Sequence, residues 1–248
     1  MAGRLPSGAA LEVFETLDST NLEARRRAAA GGRGPLWLVA LEQTAGYGRR
    51  GAVWVQAPGD FAGTLVFDAR APGERLGELS FVAGLAVLDA AESFAPRAAL
   101  ALKWPNDLLA GEGKLAGVLL ELLAPPSLVA LGVGVNIVSR PEAAAYPTAR
   151  LLDLMDGAAA PSPQDFAAAL DAALERRLTV WREEGFAPVR EAWLARAARL
   201  GERIAVSLPD GTIAGVFRDL DKTGALILEC ESGTRTIAAG TILSGRGE

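Results

Sequence analysis

The chain has 248 residues, half of them hydrophobic, and a formal net charge of −5, which fits one or two domains with a sizeable core and excludes a disordered acidic chain; nor is there the basic face expected of a general nucleic-acid binder. No apolar run is long enough to span a bilayer, and Met1 to Ala10 lacks the apolar stretch of a signal peptide, so the expectation is a cytoplasmic protein without a membrane segment. There is no histidine and only one cysteine, Cys230, which removes Ser-His-Asp and Cys-His nucleophiles, internal disulfides and zinc sites built from those residues.

Leu11–Leu17 has the pattern of a strand. It enters Asp18-Ser19-Thr20-Asn21, where Thr20 and Glu23 have capping-box spacing and open a helix that ends near Gly31-Gly32. Ser19, Thr20 and Asn21 then sit at a helix N-terminus, either as plain caps or as donors to a polar ligand. Leu36–Leu41 is a continuous apolar run, hence a buried strand. It delivers the segment Gln43-Thr44-Ala45-Gly46-Tyr47-Gly48-Arg49-Arg50-Gly51, closed by Trp54. Glycines in such a loop let the backbone approach a ligand, and the arginines suit carboxylate or phosphate oxygens. The same composition also serves a solvated turn.

A strand is expected over Thr64–Phe67, then a helix capped by Ser80 and running to about Phe94, apolar at Phe81, Leu85 and Leu88. Leu100–Leu102 is a short strand ending in Lys103-Trp104-Pro105-Asn106-Asp107. After the turn Gly111-Glu112-Gly113, Lys114–Leu122 and Leu128–Val138 form an antiparallel pair joined near Pro125-Pro126. Gly132 and Gly134 leave one face of the second strand bare, for a ligand or for close packing. Ser162-Pro163-Gln164-Asp165 starts a helix carrying Phe166, Leu170, Leu174, Leu178 and Trp181 as core residues, and a further helix covers about Pro188–Leu200. The remaining strands, Arg203–Leu208, Thr212–Arg218, Ala225–Glu229 and Thr234–Ala238, make a meander of barrel size beyond Gly201.

Of 25 basic residues only Lys103, Lys114 and Lys222 are lysines, and two of them fall within 103–114. A compact ammonium and a broad guanidinium are not interchangeable in a tight site. Neither a P-loop nor a dinucleotide fingerprint is present: Gly132-Val133-Gly134 runs into Asn136 rather than opening a helix. An enzyme so composed must work by positioning and electrostatics.

The segments Asp18–Asn21, Gln43–Gly51, Lys103–Asp107, Gly113–Glu121 and Gly132–Asn136, taken in this order, resemble the biotin protein ligases (biotin–[acetyl-CoA-carboxylase] ligases) over nearly the whole chain. The Lys-Trp-Pro-Asn-Asp pentapeptide is the most specific part. The resemblance implies an α+β fold, with a biotin/lipoate ligase-like catalytic domain of mixed sheet and flanking helices over residues 1–200 and a small SH3-like β-barrel over 201–248. It implies that biotin is activated by ATP and Mg²⁺ as biotinyl-5′-AMP and transferred to a lysine of a biotin carboxyl carrier protein, from acetyl-CoA carboxylase or a related carboxylase.

By the same resemblance, Ser19, Thr20, Asn21, Gln43, Tyr47, Gly48, Arg49 and Lys103 hold biotin. Arg49, Arg50, Trp54, Asn106, Asp107, Lys114 and Asn136 hold the nucleotide, and Lys103 and Arg49 are catalytic. No tightly bound protein-ligated metal is expected, and the magnesium ligands and any homodimer are left open. The family loop usually reads Gly-Arg-Gly-Arg-Arg-Gly-Arg; Tyr47 and Ala52 stand here in place of two arginines. About ten residues precede the first predicted strand, so a ligase without a DNA-reading domain is expected. The competing readings are a lipoate–protein ligase, whose Arg-Arg-x-Ser-Gly-Gly-Gly loop is absent here, and a module that holds biotinyl-AMP without transferring it.

Overall fold

The computed structural model describes residues 2–141 and 146–243. Strands β1 (Ala2–Arg4) and β2 (Ala10–Leu17), helix α1 (Thr20–Ala29) and strands β3 (Leu36–Gln43) and β4 (Phe61–Asp68) form the first half of an eight-stranded sheet. Strands β5 (Leu100–Lys103), β6 (Asp107–Ala110), β7 (Gly113–Ala124) and β8 (Leu128–Val135) complete it, in the order β1-β2-β3-β4-β8-β7-β6-β5. β2 and β3 are parallel because α1 carries the chain back across the sheet; the other neighbours are antiparallel.

Helices α2 (Leu79–Phe94), α3 (Pro163–Glu184) and α4 (Phe186–Leu194) cover one face. Alternation along β4 explains why. Phe61, Leu65 and Phe67 point into the larger core, where the Phe61 and Phe166 rings lie 5.2 Å apart. Val66 faces the other way and packs with Ala24 of α1, Leu38, Leu128 and Ala130. Among the described helices only α1 packs on the second face, and beside it the sheet is left free to form the floor of a site. No helix among the described residues is long and apolar enough to cross a membrane.

Strands β9 (Arg203–Leu208), β10 (Gly211–Leu220), β11 (Leu226–Cys230), β12 (Gly233–Ile237) and β13 (Thr241–Ile242) form a separate antiparallel sheet in the order β12-β11-β10-β9-β13. It docks through specific contacts. The indole Nε1 of Trp104 donates to the Gly224 carbonyl at 3.0 Å, and Arg190 Nε donates to the Leu220 carbonyl at 2.7 Å. Gly224 sits at φ +86°, so close to the Phe81 ring that a Cβ would lie 2.4 Å from it.

Several local expectations are corrected. Thr20 is not a cap: Ser19 holds the extended N-cap conformation, Thr20 is the first helical residue, and Glu23 is drawn off by Arg26 and Arg27. Ser80 lies inside α2, which continues from a 3-10 turn over Gly73–Glu78. β1 and β6 are additional strands, too short to show a period. β8 stops at Val135 because Ile137, Val138 and Ser139 turn their amides to the Asp60 carboxylate, and α4 is confined to Phe186–Leu194. The Ser162–Asp165 capping box forms as expected.

Asp60 is fully buried and also accepts from Ala57 N and the Ser139 hydroxyl. Asp60→Ala would leave these donors unpaired in the interior. It is expected to cost about 3 kcal/mol or more in chemical denaturation, whereas a loss under about 1 kcal/mol would refute this role.

Candidate active site

The uncovered sheet face opens into a cavity of about 530 Å³. Its floor is a row of small residues fixed by strand register: Ala62 of β4 pairs with Gly134 of β8, which pairs with Gly117 of β7. The next row is Thr64, Gly132 and Leu119. The bare face of β8 receives two side chains that line the cavity. A Cβ on Gly132 would lie 2.2 Å from Asn21 Oδ1, and one on Gly134 would lie 2.4 Å from the Trp54 indole. The alternating glycines thus seat Asn21 and Trp54. Gly132→Ala is expected to destabilise the protein by about 1–3 kcal/mol through overpacking. Gly3→Ala, where no atom stands within 4 Å, should stay within about 0.5 kcal/mol on the same urea titration.

At one end of the cavity lies the start of α1. Ser19, Thr20 and Asn21 are all buried. The Thr20 amide donates to Gln43 Oε1 at 2.8 Å, so the helix is capped by a side chain from β3. Ser19 makes no side-chain capping bond and lines the cavity. The Thr20 and Thr64 hydroxyls share a 2.8 Å hydrogen bond, Thr64 donates to Asn21 Oδ1 at 2.6 Å, and Asn21 Nδ2 donates to Glu121 Oε2 at 2.8 Å.

The loop after β3 crosses the mouth. It is a ribbon in which Tyr47 bridges Val53, with a tight turn over Arg49–Gly51 where Arg50 adopts φ +56°. Tyr47 O–H donates to Glu121 Oε2 at 3.0 Å. Burial pushes the Glu121 carboxyl up, but hydrogen bonds from Arg25, Asn21 and Tyr47 outweigh it and hold its pKa below the usual 4.5. Burial, and next the Glu121 carboxylate, push the Tyr47 phenol above 10.

The other end carries the charge. Lys103, at the end of β5, and Arg49 both line the cavity, and neither forms an ion pair among the described residues. Burial pulls the Lys103 pKa below the ordinary lysine value; Lys114 and Arg199 add to this, and Asp107 opposes it. Burial, then Arg50, lower the Arg49 pKa, again against Asp107. Arg49 Nη1 donates only at 3.2 Å to Asn106 Oδ1 and at 3.4 Å to the Gly240 carbonyl. Lys114 differs, being paired with Asp107 at 2.7 Å. Two desolvated cations without carboxylates favour an anion between them. Among the described residues Asp107 is the one acidic side chain in the lining, and no three His, Cys, Asp or Glu side chains are grouped to hold a metal.

Ser19, Thr20, Asn21, Gln43, Tyr47, Gly48, Arg49, Trp54, Lys103, Asn106, Asp107 and Lys114 are brought together in this one cavity. Arg50 and Asn136 are not. The left-handed turn leaves Arg50 exposed and outside the lining. Asn136 is buried behind it, where its Nδ2 donates at 3.1 Å to both the Lys114 and Ala149 carbonyls, so it braces the strand bearing Lys114. The cavity also takes in Tyr146 and, from the second sheet, Thr241, Ile242 and Leu243. Nothing in the local sequence marks those three, because only docking of the sheet brings them to the mouth.

Residues 13–136 match the model of the biotin/lipoate A/B protein ligase family, and residues 200–244 match that of the biotin protein ligase C-terminal domain. The chain is 43% identical over 235 residues to a biotin–[acetyl-CoA-carboxylase] ligase of Paracoccus denitrificans, covering 92% of this chain and 98% of the relative. The chain belongs to the biotin/lipoate A/B protein ligase family. Within that family it is also 38% identical to a biotin–[acetyl-CoA-carboxylase] ligase of Mycobacterium tuberculosis, over 94% of this chain and 88% of the relative. A solved structure, the biotin protein ligase of Aquifex aeolicus in complex with biotin and ATP, is similar with a TM-score of 0.82 at 25% identity, covering 96% of this chain and 99% of that one. The fold is therefore that of the biotin protein ligases: a mixed sheet with helices, followed by an antiparallel C-terminal sheet.

Proposed function

We propose that the protein is a biotin–[biotin carboxyl carrier protein] ligase that makes biotinyl-5′-AMP and passes the biotinyl group to a carrier lysine. The observation that carries this reading is the pair of buried, carboxylate-free cations, Lys103 and Arg49, at the far end of a cavity whose near end is neutral and rich in hydrogen-bonding groups. A neutral ureido ring suits the Ser19, Thr20, Asn21 and Gln43 end, and a carboxylate suits the Lys103 end.

In the first step an oxygen of the biotin carboxylate bonds to the α-phosphorus of ATP and the bond to pyrophosphate breaks. Lys103 and Arg49 stabilise the negative charge on the phosphoryl oxygens and hold the two anions within reach. In the second step a carrier lysine, as free amine, attacks the acyl carbon; AMP leaves and the nitrogen gives up a proton. Neither step needs an enzyme nucleophile, in keeping with a chain without histidine. Mg²⁺ enters with ATP as part of the substrate: among the described residues Asp107 is the one carboxylate in the lining, and it is engaged by Lys114. Trp54 offers its indole to the adenine, and Asn106, Asp107 and Lys114 support the nucleotide, with Asn136 acting through Lys114. We assign the catalytic unit to residues 1–200 and the C-terminal unit to 201–248. The acceptor is the carrier domain of acetyl-CoA carboxylase or a related carboxylase, and a cytoplasmic location fits the lone cysteine.

The test is incubation of the pure protein with labelled biotin, ATP–Mg²⁺ and a carrier domain. Label on the carrier with one AMP and one pyrophosphate released per transfer is the expected result. Labelling by lipoate instead would make the protein a lipoate ligase, and bound adenylate without transfer would make it a binding module.

A further inference from the structure

Glu121 lies on β7 outside the cavity lining, yet three side chains converge on it: Arg25 Nη2 at 2.6 Å, Asn21 Nδ2 at 2.8 Å and Tyr47 O–H at 3.0 Å. Asn21 belongs to the fixed end of the cavity, on α1, and Tyr47 belongs to the loop across its mouth. Their shared acceptor, Glu121 Oε2, joins the two. Upstream the chain of hydrogen bonds runs without a break through Asn21, Thr64 and Thr20 to Gln43, the last residue of β3 before the loop begins. The loop is otherwise held by backbone contacts at its own base, by the Trp54 indole seated against Gly134 and by the long bonds of Arg49.

We infer that Glu121 is a positioning residue that fastens the loop shut through the Tyr47 hydroxyl, so that closure of the mouth and the setting of Asn21 at the neutral end depend on one carboxylate. Only the effect on adenylate retention rests on the ligase reading.

Trypsin provides a test independent of ligand, because Arg49 and Arg50 are cleavage sites at the loop tip. Hydrogen bonds to charged groups are worth enough that Tyr47→Phe should raise the rate of cleavage at these two sites on the order of tenfold. Glu121→Gln, which keeps an acceptor for the phenol, should raise it less. Cleavage elsewhere in the chain should stay unchanged in both variants, and biotinyl-5′-AMP formed by Tyr47→Phe should leave faster by a factor similar to the rise in cleavage. Unchanged cleavage at Arg49 and Arg50, or a rise spread over all sites, overturns the inference. Selective loop opening in a protein that forms no adenylate leaves the inference standing and removes the ligase reading instead.

Discussion

Lys103→Met is expected to lower kcat/KM for biotin-dependent pyrophosphate release by roughly 10²–10³-fold, the loss typical when a preorganised group is removed from developing negative charge. Lys103→Arg should recover little, since a planar fork does not occupy the position of a compact ammonium. The defect should not be one of folding. Burial depresses the Lys103 pKa in the native state, so the unfolded chain binds the proton more tightly. The buried charge therefore costs stability at neutral pH, and that cost is relieved only as pH rises from the lowered native pKa toward the unfolded value near 10.5. Lys103→Met should melt at or above the wild-type temperature. Wild-type activity should fall on the alkaline side as the ammonium loses its proton, at a pH below that of an ordinary lysine. A Met variant with more than about a tenth of wild-type activity would overturn the assignment.

Arg49→Gly should separate making the adenylate from keeping it. The guanidinium is half-buried at the junction of the loop, Asn106 and the Gly240 carbonyl of the second sheet, through bonds long enough to be exchanged for a phosphate oxygen. Its removal takes away a cation and the one side chain that ties the loop to both neighbours. Biotinyl-5′-AMP is then expected to dissociate roughly 10- to 100-fold faster, the equivalent of one or two charge-assisted hydrogen bonds. The released anhydride should label lysines of a bystander protein without selectivity. The measurement is biotin incorporated into a non-carrier protein in the same tube, and retention equal to wild type would remove Arg49 from its role. Loss of the Tyr47–Glu121 contact opens the same loop from its other side, so the two substitutions should compound rather than duplicate one another.

How far the site could be read from the chain varies residue by residue. The Gly-rich loop, the pentapeptide around Lys103 and the helix start at Ser19 to Asn21 are legible because each is a local composition with a local consequence, although the cap itself comes from Gln43 rather than from Thr20. Twelve of the fourteen predicted binding residues line the cavity. Arg50 lies outside the lining although its neighbour Arg49 has the same chemistry, and the turn at φ +56° that separates the two has no local signal in the sequence. Asn136 is placed behind the lining, because a polar residue following a glycine-rich strand suits a ligand and a brace equally well. Glu121 carries no local signal: it is one carboxylate in a mostly apolar strand, and its importance comes from Arg25, Asn21 and Tyr47 arriving from distant segments.

The sequence by itself determined that mixed helices and strands precede an all-β end, that no nucleophile is activated by a histidine, and that one strand has a bare face. These follow from period, composition and the absence of histidine, which no folding can alter. Only the tertiary structure decided that Asn21 and Trp54 fill that bare face, that Gly117, Gly134 and Ala62 form one floor, and that Thr241 to Leu243 close the mouth. The reason is that strand register and domain docking are settled by contacts far apart in the chain, and a one-residue slip in register would turn every one of those side chains to the opposite face.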